Sequence, residues 1–281
     1  MALCLAFKRY KCGLFLWGLY LCGCAWHPPV PSAVLRAANA AHLAKAAGWL
    51  PRTLHTASFT FKAYGPKPTP LATTLTIYIE GDGLAWISDD TPSDNPTPIN
   101  PVGLKIATHD TKHPQVTYLS RPCQYVFGRD WAGCRPDDWT DSRFSAEIVQ
   151  ATNQAVDDQK KHYHAKKIIL IGYSGGGAIA ALVSASRTDV VQLITIAGTL
   201  DIDDWVHRKN LTPLRGSLNP ADKWASLVSI PQIHWVGGRD TVVPKEVAFA
   251  YTRRFPSSKK PVVNVMPTFD HSCCWATNWA P

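Results

Sequence analysis

The residues of this chain that can do chemistry are a serine in a glycine-rich turn, and acids and a histidine that follow later apolar runs. Ser174 lies in Gly172-Tyr173-Ser174-Gly175-Gly176, which fits G-x-S-x-G. A serine hydroxyl is a weak nucleophile near neutral pH and needs a positioned base. Imidazole takes and returns a proton in that range. A carboxylate fixes the imidazole tautomer and stabilises the imidazolium. Asp201, Asp203 and Asp204 follow the apolar run 190–197, Asp240 follows 230–236, and His271 follows 262–266. His271 stands after the last such run. His234 falls inside a run, where a core role is expected, and His109, His113, His162, His164 and His207 fall on polar segments. The chemistry implied is acyl transfer through a serine.

These residues need rigid elements to bring them together. Residues 168–171 are consecutively apolar and read as a short buried strand. Residues 178–185 are Ala-rich, with Ile179 and Leu182 at helical spacing. Strand, sharp turn and helix in that order hold a serine in a strained turn, where bulky neighbours would collide. The helix that follows aims backbone N–H groups at a developing oxyanion. Further strands are expected at 57–64, 75–79, 116–119, 190–197, 230–236 and 262–266. Helices are expected at 32–48, from 102, and at 245–255. The first would use Val34, Leu35, Ala38, Ala41 and Leu43 as its apolar positions. A long helix capped by Asp141 or Ser142 would carry Phe144, Ile148, Ala151 and Ala155 on one face. Residues 91–101, with four prolines, read as a rigid loop on one rim of the site. The polar, turn-rich stretch 199–229 reads as a short lid. All the candidates would then sit at the carboxyl ends of strands, where open α/β sheets gather their sites.

The turn at Ser174 resembles the nucleophile elbow of the α/β-hydrolase fold. The resemblance extends over most of the chain from about residue 57, and more narrowly is to bacterial lipoprotein-type α/β-hydrolases. It implies an α/β fold with a mostly parallel central sheet, helices on both faces, short lid loops and no full cap domain. It also implies the order Ser174, Asp240, His271, because residues 237–244 read G-G-R-D-x-x-V-P, similar to the family's acid loop. Asp201, Asp203 and Asp204 compete for the acid's role. Glu80-Gly81-Asp82-Gly83 stands where the family commonly has H-G-x-G, with Glu80 replacing the His. The implied oxyanion donors are the N–H groups of Gly175 and Asp82, with Gly81 or Gly83 as alternatives to the latter. The implied activity is hydrolysis of a small-molecule or lipid ester through an acyl-serine, with no cofactor. A non-catalytic envelope binding protein on the same fold is the alternative.

Length and composition agree with one sizeable core. The 281 residues are 46% hydrophobic and 18% charged, and eleven are tryptophan. No metal-binding motif, dinucleotide fingerprint or P-loop is present. Lys8, Arg9 and Lys11 precede the apolar run 14–21, which ends in Leu21-Cys22-Gly23-Cys24. This resembles a lipobox, in which Cys24 becomes lipidated. The expected organisation is a signal peptide over 1–23, a tether and helix over 24–56, and the hydrolase domain over 57–281. Loss of the three early cations takes the net charge from +8 to +5. The remaining basic residues are scattered, which argues against nucleic acid and is compatible with a membrane partner. The expected location is the cell envelope, leaning to the outer membrane. In that oxidising setting four cysteines remain after Cys24. Cys123 with Cys134 is the favoured local pair. That pairing would leave Cys273 and Cys274 as a vicinal pair, and cross-pairing is the competing option.

Overall fold

The computed structural model describes residues 29–69 and 73–279. The signal segment 1–23 and Cys24 lie outside the described residues. In chain order the elements are α1 (Ala33–Ala46), β1 (Leu50–His55), β2 (Thr60–Gly65), β3 (Thr74–Ile79), α2 (Val102–Thr108), β4 (Val116–Leu119), α3 (Ala146–His162), β5 (Lys167–Tyr173) and α4 (Gly175–Ser184). They continue with β6 (Val190–Ile196), α5 (Ile202–Lys209), α6 (Trp224–Leu227), β7 (Gln232–Gly237), α7 (Lys245–Thr252) and β8 (Val262–Met266).

The strands form one sheet in the order β1-β2-β4-β3-β5-β6-β7-β8. β1 and β2 run antiparallel to their neighbours, and β4, β3, β5, β6, β7 and β8 pair in parallel. Parallel strands covered on both faces read as near-continuous apolar runs. β5 is the central case: Ile168, Leu170 and Ile171 are fully buried, and β-branched side chains suit that pleated setting. Burial of each such side chain contributes about 1.5–3 kcal/mol. One face of the sheet packs Ile148, Ala151 and Ala155 of α3 and the wholly buried α4. The other packs Ala40 and Ala44 of α1 and Leu104 and Ile106 of α2. β8 forms one edge of the sheet, with Val262 and Val265 exposed.

Several elements depart from the sequence reading. The sheet takes in β1, ahead of the boundary set at residue 57, and α1 belongs to the same compact unit, which starts at Pro31. α1 buries Arg36, Ala40 and Ala44 and leaves Val34 and Leu35 exposed, because alanines at four-residue spacing allow the closest approach to the sheet. The cap of α3 is Ser145, which accepts from the Ile148 N–H. Asp141 instead accepts from the N–H groups of Arg215 and Gly216. The stretch after β6 is not all loop, since α5 begins at once with Asp201 as its cap. No helix among the described residues is long and apolar enough to cross a membrane.

Candidate active site

β5 runs into Ser174 and α4 leaves it. Ser174 has φ +52° and ψ −124°, a conformation L-residues rarely adopt. The turn closes because its glycines carry no side chain. A Cβ on Gly172 would overlap the backbone of Gly176, and one on Gly176 would overlap the carbonyl oxygens of Ile79 and Glu80. Gly176 therefore lets α4 start directly against the end of β3.

The loops after β7 and β8 carry the partners. His271 Nε2 lies 2.9 Å from Ser174 Oγ, and His271 Nδ1 lies 2.8 Å from Asp240 Oδ2. The other oxygen of Asp240 accepts from the N–H groups of Val242 and Val243 at 2.9 and 2.8 Å. The two loops are tied together by Gly238 N–H donating to Met266 and Arg239 N–H donating to Phe269. The competing acids have other partners. Asp201 caps α5 and lies 3.7 Å from Arg254, Asp203 accepts from Asn219, and Asp204 pairs with Arg208. His234 is fully buried in β7, with Nδ1 2.8 Å from Thr195 Oγ1, and burial pushes its pKa down to about 3.

The loop after β3 closes the other side. The Gly81 N–H donates to Glu80 Oε1 at 3.0 Å, so it is taken. No hydrogen bond among the described residues takes up the N–H of Asp82 or of Gly83. Glu80, at the position where the sequence resemblance leads to the expectation of a His, is buried and has a different task. Its carboxylate also accepts from the N–H groups of Gly103 and Leu104 and from the Tyr118 hydroxyl. It thereby caps α2, whose own N-cap residue Pro101 supplies no side-chain bond. Burial raises the Glu80 pKa, against the opposing pull of those donors.

Above these residues is a cleft of about 870 Å³, lined by Ser174, His271, Asp82, Arg143, Tyr173, Trp205 and side chains from the loops at 84–100 and 211–214. The proline-rich loop reaches the rim with Pro98, Ile99 and Asn100, as expected.

Comparison with solved structures decides the architecture. Est1E from Butyrivibrio proteoclasticus matches with a TM-score of 0.58 at 15% identity, covering 81% of this chain and 93% of that one. The fold is that of the α/β-hydrolases. An α/β serine hydrolase homologue from Coxiella burnetii matches at TM-score 0.53 and 17% identity, over 79% of this chain and 89% of that one. A bacterial membrane phospholipase A matches at TM-score 0.51 and 16% identity, over 85% of each chain. No protein-family model matches this chain, and no curated protein matches it.

On this α/β-hydrolase frame the structure adds residues that the sequence reading did not single out. The Tyr173 hydroxyl and Trp275 Nε1 both donate to the His271 carbonyl, at 3.0 and 3.1 Å, and hold the histidine's backbone. Asp82 is clamped by two arginines, Arg121 Nη1 at 2.8 Å and Arg143 Nη1 at 2.9 Å. Burial works to raise the Asp82 pKa, but the charges and hydrogen bonds of Arg143 and Arg121 outweigh it and hold the carboxyl below its usual range. The only sequence signal for these is position: Tyr173 lies inside the elbow and Arg121 stands two residues past the end of β4. Cys123 and Cys134 are joined by a disulfide, as are Cys273 and Cys274.

Proposed function

We propose that this chain is a serine hydrolase that cleaves carboxylic esters through an acyl-serine. The observation that carries the reading is the continuous contact from Ser174 Oγ through the His271 ring to Asp240. In this mechanism His271 Nε2 takes the hydroxyl proton as Ser174 Oγ attacks the ester carbonyl. The negative charge that develops on the carbonyl oxygen is met by the N–H of Gly175, at the start of α4, and by that of Asp82. Collapse of the tetrahedral intermediate expels the alcohol, which receives the proton from His271. A water then attacks the acyl-serine by the same route. Asp240, fixed by two backbone N–H groups, keeps the Nδ1 proton facing itself and leaves Nε2 free as base.

The alternative, a binding protein on the same fold, is separated by one experiment. A fluorophosphonate should label the protein, and Ser174→Ala should abolish both labelling and hydrolysis of 4-nitrophenyl butyrate while the melting transition persists. Equal labelling of the alanine variant would remove Ser174 from the mechanism. An unlabelled, inactive wild type would favour the binding protein. The reading also puts the enzyme in the cell envelope on a lipid carried by Cys24. What supports this is the charged, apolar leader ending in Leu21-Cys22-Gly23-Cys24. Buried acyl carbons contribute about 0.8 kcal/mol each to such an anchor. Mass spectrometry of the membrane fraction should find an acylated Cys24 as the first residue. An unmodified N-terminus beyond it would remove the anchor and leave the hydrolase standing.

A further inference from the structure

The Asp82 clamp carries more charge than its bracing needs. One carboxylate faces two guanidinium groups, so the trio has a net charge of +1 beside the oxyanion loop. Arg121 lies behind: its Nη1 and Nη2 are taken by Asp82 and by the Arg143 carbonyl. Arg143 lies in the cleft wall, with its side chain only 8% exposed. Its Nε donates to the Thr140 carbonyl at 2.6 Å and its Nη1 to Asp82. Its Nη2 has no hydrogen-bond partner among the described residues. The guanidinium stacks 5.8 Å from the ring of Trp205, which also lines the cleft. A Cβ on Gly175 would overlap Asp82 Oδ1, so this clamp sits against the residue that follows the nucleophile.

Of the other charges in the cleft wall, Asp89 is an exposed carboxylate with no hydrogen-bond partner among the described residues, Glu80 is taken up by the start of α2, and the remaining two are engaged elsewhere. Asp141 is held by the N–H groups of Arg215 and Gly216, and Lys209 donates to the Thr241 carbonyl. A cation nine-tenths buried, backed by an apolar ring and left with an unused donor, is a poor neighbour for an apolar acyl chain. It is well suited to a carboxylate or phosphate, which a guanidinium binds through directed N–H groups.

We propose that Arg143 is a specificity-determining residue that binds an anionic group of the ester substrate, so that the preferred substrates are esters carrying a carboxylate or phosphate. This rests on the serine hydrolase reading above. The substrate's anion would accept from Nη2 while Nη1 stays on Asp82, and the remaining cleft volume would take the apolar part. No bond beyond the ester changes in the reaction.

The test uses the full chain and matched esters: the 4-nitrophenyl half-esters of glutaric and adipic acid, and the same compounds with the free acid methylated. The wild type should prefer a free-acid form by about ten- to a hundredfold in kcat/KM, the range a hydrogen bond to a charged group supplies. Arg143→Met should bring that ratio close to one by lowering kcat/KM on the free acid far more than on the methylated ester. Arg143→Gln, which is neutral yet still able to donate to Asp82, gives the same reading if the methionine variant does not fold. Slowing of Ser174 phosphonylation by free adipate or by glycerol 3-phosphate then tells a carboxylate from a phosphate. A ratio near one in the wild type would overturn the proposal and leave the esterase intact. So would equal losses on both ester forms in the variants, which would mark Arg143 as a brace for Asp82 alone. Failure of the wild type to hydrolyse either form, with Ser174 unlabelled, would overturn the hydrolase reading and this inference with it.

Discussion

Replacing Asp240 by asparagine exchanges one oxygen for an NH₂ group and should remove most of the activity without unfolding the protein. Asp240 uses its two oxygens differently: Oδ1 accepts from the N–H groups of Val242 and Val243, and Oδ2 faces His271 Nδ1. An asparagine cannot present its NH₂ to two N–H donors, so its oxygen must take the Oδ1 position. Its NH₂ then points at His271 Nδ1, which has to become the acceptor. The ring proton moves to Nε2, facing Ser174 Oγ, and the base is lost. The same tautomer error in a serine protease costs about 10⁴ in kcat, or about 5 kcal/mol of transition-state stabilisation. The two backbone bonds survive, so the melting temperature should hardly move. Steady-state kinetics with 4-nitrophenyl butyrate on Asp240→Asn, alongside Asp201→Asn, Asp203→Asn and Asp204→Asn, checks this. A fall of less than tenfold for Asp240→Asn, or a larger fall for one of the other three, would refute the argument.

Other perturbations follow from the packing. Gly176→Ala drives a methyl into the Ile79 and Glu80 carbonyls, which should cost about 1–3 kcal/mol of stability and at least tenfold in kcat, measured by denaturant titration and kinetics. The Cys123→Ser/Cys134→Ser double variant opens an 11-residue separation and should lose about 3 kcal/mol in the same titration. His234 has a folded pKa of about 3 against an ordinary 6.5, so the unfolded chain binds the proton first. Its contribution to stability is full above pH 6.5 and falls away as the pH drops from there towards 3. Melting curves across that window should show the loss, and His234→Gln should flatten it.

How much of this was legible in the sequence depends on the range of each signal. The elbow announces itself because its glycines, strand and helix are contiguous. The loop after β3 is legible for the same reason, although only the fold shows that the Gly81 N–H is spent on Glu80 and that those of Asp82 and Gly83 have no partner among the described residues. In the sequence Glu80 reads only as a replacement for a histidine. Its work as the cap of α2 depends on Gly103 and Leu104, which a local motif cannot contain. Arg121 and Arg143 meet at Asp82 from two separate loops, and nothing in either loop hints at the meeting. The buried face of α1 is not legible, because alanines occur all round that helix and its period does not say which side is buried. α5 is hard to see in the sequence because its helical face is short and its acidic first turn reads as a loop, although Asp201 caps it in the fold.

The β8 edge of the sheet bears on how the protein behaves at high concentration. β8 reads Val-Val-Asn-Val-Met, carries no charge, and leaves Val262 52% and Val265 38% exposed beside backbone groups that no strand among the described residues pairs. Such an edge is a template for the strand of a second molecule, and from there for open-ended aggregates. Lys259 and Lys260 stand immediately ahead of it with Pro261, and Pro267 closes it. Two like charges repel an incoming copy, and each proline removes an N–H donor that a growing stack would need. The colloidal stability of this protein should therefore hang on four residues outside the candidate site, and exchanging the lysines for neutral side chains should leave any turnover of a test ester unchanged while lowering the concentration at which the protein precipitates.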